Sequence, residues 1–193
     1  MVWHDGLNVR SVHQLSDEEK ERAFKLLIAG LRTNAWRCAA GLRELHDKRA
    51  IPYLHEALAF TTGKGLVEVA AALNVLEGTT DYCSYIIRVL ETNSHWGYRM
   101  DAAITLRKFH TPEVIEALFR AIEDPDYLVR HHASESLLAL HGFPPDIARY
   151  DEIFDDIIDK REFMETRPLP TDEEILEQYK QAASQLRELF SSN

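Results

Sequence analysis

The sequence predicts an all-α fold, an α-solenoid of stacked helix–turn–helix repeats with a capping helix at each end. Three observations predict it: apolar residues recur at helical spacing, no stretch alternates in the manner of a strand, and one leucine pattern occurs four times. The leucines of this pattern lie 31, 33 and 31 residues apart, at Leu42, Leu73, Leu106 and Leu137. A small residue stands three positions before each of them, which lets neighbouring helices approach closely: Ala39, Ala70, Ala103 and Ser134.

A second helix follows the leucine helix in each copy. Thr111 and Pro112 open the third of these helices as a capping residue and a first-turn proline. Gly142 ends the fourth leucine helix where a left-handed C-cap is expected. We expect the apolar triads of the second helices to face the core: Ile51, Leu54 and Leu58; Tyr82, Tyr85 and Val89; Ile115, Leu118 and Ile122; Ile147, Tyr150 and Phe154.

The two ends of the chain differ from the repeats, and together with them we expect one domain. Residues 1–33 are predicted to form an irregular arm, pinned by Trp3, Leu7, Val9 and Val12, and a capping helix that starts at a Ser16–Glu19 capping box. Residues 34–166 hold the four repeats. Residues 167–193 hold a proline link and a last helix with its own capping box, Thr171 to Glu174.

The chain is acidic, and its charge is uneven. It has 32 acids and 22 bases, and residues 65–193 contain 24 of the acids but only 12 of the bases. Such a chain repels phosphate backbones, so we expect no nucleic-acid partner and favour a basic protein. No apolar run is long enough to span a bilayer, and no apolar signal segment opens the chain. We therefore expect no membrane partner and a cytoplasmic location, as a monomer or weak dimer, with Cys38 and Cys83 as small buried side chains.

A family resemblance rests on the fourth copy, residues 124–140, DPDYLVRHHASESLLAL. It resembles the HEAT repeat, and within it the HEAT-like repeats of the phycobilin-lyase type, which have an acid-rich turn, a Val-Arg pair, small residues and a leucine pair. The third copy matches through Arg99, whereas the first two copies have Ala35 and Leu66 where arginine is expected and are divergent. The resemblance covers about residues 34–160 and implies an α-solenoid that binds proteins.

The nine histidines prompt a search for a metal site, and we predict none. His46, His110 and His141 follow the ends of leucine helices, where cations suit the helix dipole. His131 and His132 are adjacent on a helix, so they point about 100° apart and we expect no joint chelation. His55 and Glu56 resemble one of the His-Glu pairs of the di-iron HEAT enzyme deoxyhypusine hydroxylase, which uses several. No phosphate loop or nucleophile motif occurs, and we predict no cofactor.

We predict a non-catalytic scaffold or adaptor that binds a basic protein. The resemblance implies that second helices line a concave face, and helical phase places the outward residues two, five and nine positions after each triad start. The predicted binding residues are Tyr53, Glu56, Phe60, Ser84, Ile87, Glu91, Arg120, Asp124, Arg149, Glu152, Asp155 and Asp156, with Ala117 on the same side. Alternatively, Phe60 and Ile87 tuck under loops or under the N-terminal arm. Two other functions stay open: an immunity or inhibitor protein that neutralises a cationic toxin or enzyme, and a phycobilin-lyase-like enzyme.

Overall fold

The computed structural model describes residue 12, residues 14–162 and residues 168–192. These described residues form ten α-helices joined by turns and short 3₁₀ segments, and they contain no strand. The helices are α1 (Asp17–Gly30), α2 (Ala35–Leu45), α3 (Ile51–Leu58), α4 (Gly63–Glu77), α5 (Cys83–Thr92), α6 (Trp96–Leu106), α7 (Pro112–Arg120), α8 (Tyr127–Leu140), α9 (Asp151–Ile157) and α10 (Asp172–Ser191). The all-α prediction is confirmed.

The helices form two compact units, Met1–Val89 and Leu90–Asn193, which we call unit 1 and unit 2. In unit 1, α1 packs on α2, and both α2 and α3 pack on α4. The predicted leucine and alanine columns lie in this interface, since Leu42, Leu73, Ala39 and Ala70 are fully buried. Alanine at the contact lets the leucine helices of the first two copies approach each other. A solenoid depends on this kind of contact, in which the leucine helix of one repeat packs on the leucine helix of the next.

Unit 2 repeats this arrangement. The leucine helices α6 and α8 pack on each other, α7 and α9 both contact α8, and α10 covers α9. Leu106, Leu137 and Ala103 are fully buried, as is Ser134, whose hydroxyl donates to the Arg130 carbonyl at 2.9 Å. Both units are therefore built of stacked helix pairs, and the predicted α-solenoid fold is confirmed. The domain boundaries at residues 33 and 166, and the single domain that we expected, stay predictions.

The predicted helix ends are confirmed by their caps. The Ser16 hydroxyl accepts from the Glu19 amide at 3.4 Å while the Glu19 carboxylate accepts from the Ser16 amide at 2.8 Å. Thr171 and Glu174 form the same reciprocal box before α10, at 3.2 and 2.7 Å. Gly142 has a φ of +80°, the left-handed conformation that ends α8. The arm residues Trp3, Leu7 and Val9 lie outside the described residues.

The predicted triads of the second helices are partly wrong in register. Tyr82 and Tyr85 are only half-buried, and the core side of α5 is formed instead by residues such as Ile86, which is fully buried. The Tyr82 hydroxyl donates to the Glu77 carboxylate at 2.9 Å, which keeps the polar end of its ring near the surface. On α9, Ile153 and Ile157 are buried, whereas the predicted Tyr150 and Phe154 are half-buried.

Candidate partner-binding surfaces

Three of the predicted binding residues meet around one groove of unit 1. The groove has a volume of about 260 Å³ and lies between the C-terminal end of α1 and α3. Tyr53 and Phe60 are 46% and 38% exposed, which is high for aromatic side chains. The lining residues are Ile28, Ala29, Leu31, Arg32, Tyr53, Glu56 and Phe60. Unit 1 thus presents an apolar depression with two exposed rings.

Arg32 orders this groove, although it was not among the predicted binding residues. Its guanidinium carbon lies 4.7 Å from the centroid of the Phe60 ring, and it also forms an ion pair with Glu56. The Arg32 guanidinium therefore contacts both the carboxylate of Glu56 on α3 and the ring of Phe60 just after α3. No loop of the described residues covers Phe60, whereas Glu56 is already paired with Arg32. Only the second helices were considered as the source of the binding face, and Arg32 follows α1.

The two predicted residues on α5 differ from each other. Ser84 is exposed, and its hydroxyl donates to the Asp81 carbonyl at 3.3 Å. Ile87 was expected to lie on the exposed side of the helix, but it is half-buried. The expectation assumed that Tyr82 and Tyr85 face the core. The core side of α5 is instead centred on Ile86, which places Ile87 at the edge of the interface.

In unit 2, Glu91, Arg120 and Asp124 line one cavity of about 490 Å³. Arg120 donates to the Glu91 carboxylate through Nε at 3.0 Å and through Nη2 at 2.6 Å, and both side chains remain partly exposed. The other lining residues are Leu90, Ala117, Ala121, Glu123 and Pro125. The predicted outward position of Ala117 is wrong, because its side chain is fully buried beneath this cavity.

Asp124 faces inward more than predicted. Its carboxylate accepts two hydrogen bonds from Arg99 of α6, at 2.7 and 2.8 Å, and a third from the Asp126 amide at 2.8 Å. The side chain of Asp124 is only 9% exposed. This carboxylate holds the turn before α8 to the start of α6, so it has little surface left for a partner.

Arg130, the motif arginine of the fourth copy, also joins separate elements of unit 2. Arg130 is buried, and its Nε donates to the Ile157 carbonyl while its Nη1 donates to the Asp124 carbonyl, both at 2.7 Å. The guanidinium also lies 4.0 Å from the Tyr179 ring centroid on α10. The arginine of the repeat motif therefore joins α8 to the turn before it, to the end of α9 and to the capping helix α10.

The acidic run on α9 divides into exposed and protected side chains. Asp151, Glu152 and Asp155 are exposed and form no ion pair within residues 14–162 and 168–192. Asp156, by contrast, has a side chain only 14% exposed, 3.7 Å from the Lys160 ammonium. Burial raises the pKa of Asp156, and Lys160 opposes that shift. We refer to Asp151, Glu152 and Asp155 as the acidic trio.

Two other charges near α9 are paired. Arg149 donates to the Asp146 carboxylate at 3.0 Å, so the predicted binding residue Arg149 is exposed but engaged. Arg161 hydrogen-bonds to Asp159 and lowers the pKa of that carboxyl. Arg161 also reaches Asp172 at the start of α10.

The net charge of the chain lies entirely in unit 2. Unit 1 contains 11 acidic and 11 basic residues, so its formal charge is zero. Unit 2 contains 21 acidic and 11 basic residues, which accounts for the whole net charge of −10. The division between the units thus agrees with the charge imbalance expected after residue 64.

Two of the three histidines at helix ends lie within hydrogen-bonding distance of carbonyl groups of their own helices. The Nδ1 atom of His46 lies 3.0 Å from the Glu44 carbonyl oxygen, and that of His141 lies 2.8 Å from the Leu137 carbonyl oxygen. His46 has a φ of +54°, the left-handed C-cap conformation of α2. The side chains of His46 and His141 are therefore engaged at the C-terminal ends of α2 and α8.

His131 and His132 both approach the carboxylate of Glu135, and the expectation that the two histidines do not chelate together stays a prediction. His131 Nε2 lies 3.3 Å from Glu135 Oε1, and His132 Nδ1 lies 3.3 Å from Glu135 Oε2. One atom of each of the three side chains lies within 4.8 Å of the others, and all three side chains are half-buried. Burial lowers the pKa of His131, against the opposing effect of the Glu135 carboxylate. The spacings i, i+4 and i, i+3 to Glu135 were the signal that the sequence argument overlooked.

Stacked helix pairs, leucine columns and arginine–turn contacts define a helical-repeat protein. Residues 35–60 match the family model of the PBS lyase HEAT-like repeat, so the resemblance to HEAT-like repeats is confirmed. The match falls on the first copy, which we had described as divergent because Ala35 replaces the motif arginine. Neither curated proteins nor solved structures gave a significant match. Among the helices of the described residues, none is both long and apolar enough to cross a membrane.

Proposed function

We propose that this chain is a non-catalytic scaffold that binds a basic protein through the exposed side of its second helices in unit 2. The observation that carries this proposal is the acidic trio of α9. Its three carboxylates are exposed and make no ion pair with the described residues, in a unit with a formal charge of −10. Unpaired exposed acids of one sign attract a cationic surface and raise the rate of encounter.

Unit 2 has a second acidic feature in the cavity beside α7. Glu123 lines it and is exposed, and Glu91 meets Arg120 there in an exposed ion pair. Exposed ion pairs contribute little to folding, so a lysine or arginine of a partner is able to displace Arg120 from Glu91 at small cost. We expect the partner to place basic side chains at both positions.

We propose the groove of unit 1 as a second, apolar contact surface, the anchor, which rests on residues of unit 1 alone. Charge alone gives fast and salt-sensitive association, whereas affinity comes mainly from aromatic and apolar side chains in a depression. Tyr53 and Phe60 supply such side chains, and Arg32 holds the Phe60 ring in place.

The proposal is tested by affinity purification from the native cell with the wild-type chain and a triple variant, Asp151→Asn with Glu152→Gln and Asp155→Asn. A matched control removes three exposed charges elsewhere: Glu18→Gln, Glu173→Gln and Glu188→Gln. We expect a basic protein whose affinity falls about tenfold or more in the α9 variant, less in the control, and steadily with salt. A partner that binds the α9 variant as tightly as the wild type contradicts the proposal.

The anchor is tested separately with Tyr53→Ala and Phe60→Ala, because its failure does not affect the charge argument. Val75→Ala is the control, since Val75 is an exposed apolar residue of unit 1 outside the groove. We expect the groove variants to speed dissociation and to leave the salt dependence unchanged. Equal binding by all three variants removes the groove from the proposal.

The same acidic trio also favours the second function, an inhibitor that neutralises a cationic toxin or enzyme. A scaffold and an inhibitor differ in what happens to the partner. If the recovered partner has an activity, stoichiometric addition of this chain abolishes it in the inhibitor case and leaves it intact in the scaffold case. The assay uses the α9 variant as its negative control.

A further inference from the structure

We propose that His131, His132 and Glu135 of α8 form a binding site for a divalent transition-metal ion of the zinc type. The three side chains offer two imidazole nitrogens and a carboxylate oxygen within 4.8 Å of one another. This donor set suits Zn²⁺, which is bound by histidine and carboxylate ligands. Neither the acidic surface nor the groove uses these residues.

The spacing between the candidate ligand atoms fits a tetrahedral ion. Ligands about 2.0–2.1 Å from a tetrahedral Zn²⁺ are about 3.3 Å from each other. Both nitrogen–carboxylate separations in the cluster are 3.3 Å, one through His131 Nε2 and the other through His132 Nδ1. The two separations end on different oxygens of Glu135, and the three candidate donor atoms lie within 4.8 Å of one another, so side-chain rotation is required to direct all three at one ion.

Tyr127 supports His131 from the other side of its ring. The Tyr127 hydroxyl lies 3.2 Å from His131 Nδ1, one turn earlier on α8. A metal-bound histidine needs a partner for its second ring nitrogen, which fixes the ring and its tautomer. A hydroxyl is able to donate or to accept, so it accommodates the Nδ1–H form that binding through Nε2 requires.

Arg107 is the side chain that opposes a cation here. Its Nη2 lies 3.4 Å from Glu135 Oε2, and its Nε donates to the Ser136 hydroxyl at 3.3 Å. The contact with Glu135 is longer than a strong charge-assisted hydrogen bond, which is about 2.7–2.9 Å. Arg107 therefore lowers the affinity of the cluster for a metal ion without preventing binding. Removal of the Arg107 charge is predicted to raise that affinity.

The side chains of the cluster remain reachable from solvent. His131, His132 and Glu135 are 23%, 26% and 16% exposed, so an ion is able to enter without unfolding of the helix. Three protein ligands leave a fourth tetrahedral position for water.

The test is a titration of the full chain, freed of metal by chelation and dialysis, with Zn²⁺ followed by calorimetry and by competition with a chromogenic chelator. We expect one Zn²⁺ per chain. His132→Gln and Glu135→Gln should each lower the affinity about tenfold or more, and Arg107→Gln should raise it. Circular dichroism of the metal-free variants checks that they are folded.

His55→Gln is the matched control, because His55 Nε2 lies 2.7 Å from Glu77 in a pair that lacks a second histidine. We expect His55→Gln to bind like the wild type. The proposal is overturned if the wild type takes up no stoichiometric Zn²⁺, if Glu135→Gln binds as tightly, or if His55→Gln loses as much. Should the ligand variants fail to fold, Cu²⁺ bound to the wild type provides the second measurement, since its electron paramagnetic resonance spectrum must show two coordinated nitrogens.

Discussion

Arg99 and Asp124 meet in a two-pronged ion pair, with Nε 2.7 Å from Oδ2 and Nη2 2.8 Å from Oδ1. The two side chains are only 12% and 9% exposed. Arg99 also donates to the Asn93 carbonyl at 2.8 Å, so one guanidinium joins the turn before α6 to the turn before α8. The Asp124 contact raises the pKa of Arg99, which stays charged. A pair this protected is expected to hold the two repeats of unit 2 together.

We therefore expect Arg99→Met to destabilise the chain strongly, by about 3 kcal/mol, because it leaves the Asp124 carboxylate protected from water and without its partner. Urea unfolding followed by circular dichroism measures the change. Glu116→Gln is the control, since Glu116 pairs with Arg187 in the same two-pronged manner at 3.1 and 3.0 Å but with both side chains half exposed. That change should cost less than about 1 kcal/mol. Equal costs would mean that the burial of the Arg99 pair has no effect.

Leu106→Ala tests the leucine column itself. Leu106 is fully buried in α6, which packs on α8. Removal of its side chain leaves a cavity, and we expect a loss of about 2–5 kcal/mol in the free energy of unfolding. Leu26→Ala is the control, because Leu26 is 67% exposed and should change stability by less than about half a kcal/mol. A loss of that small size at Leu106 would show that the repeat register is wrong.

The leucine column was predictable because four copies impose the same constraint. Leu42, Leu73, Leu106 and Leu137 are all buried, and a period that recurs removes the ambiguity of any single helix. The face of α5 was not predictable in this way. Its residues Tyr85, Ile86, Ile87, Val89 and Leu90 are apolar nearly all round, so the sequence alone does not choose between neighbouring registers.

The errors in the candidate site have a different cause. Asp124 was taken as an exposed acid because its partner, Arg99, lies 25 residues earlier and only the packed fold brings them together. His131 and His132 were compared with each other, although the residue that unites them is Glu135. Helical spacing predicts which residues share a face, but long side chains on neighbouring faces still approach the same carboxylate.

His46 and Gly78 give a prediction about helix ends in unit 1. Both are left-handed C-caps, with φ of +54° and +72°, yet only one is glycine. We expect His46→Gly to stabilise the chain by about half a kcal/mol, since relief of left-handed strain exceeds the entropy that glycine adds to the unfolded chain. Gly78→Ala should cost about 1 kcal/mol, entirely from conformation, because an added Cβ meets no atom within 4 Å. Thermal melting of both variants measures the changes, and loss of stability in His46→Gly would show that the histidine cap outweighs the strain.

Asp156 gives a prediction whose sign depends on pH. Burial raises its pKa in the folded chain, so the folded state binds a proton more tightly than the unfolded state does. Stability is then highest below the unfolded pKa of about 3.9 and falls as the pH rises from there through the folded pKa. At pH 7 the folded chain carries the full penalty of a charged and mostly buried carboxylate.

Asp156→Asn removes that penalty, and we expect a higher melting temperature at pH 7 and a smaller gain at pH 4. The loss of the contact with Lys160 should subtract little, because the lysine side chain is 46% exposed. Asp155→Asn is the matched control, since its neighbouring carboxylate is exposed and should give almost no change at either pH. If the two variants melt alike at pH 7, or if Asp156→Asn gains more at pH 4 than at pH 7, then Asp156 is better solvated than its position indicates. In that case it would join Asp151, Glu152 and Asp155 as a fourth carboxylate available to a basic partner.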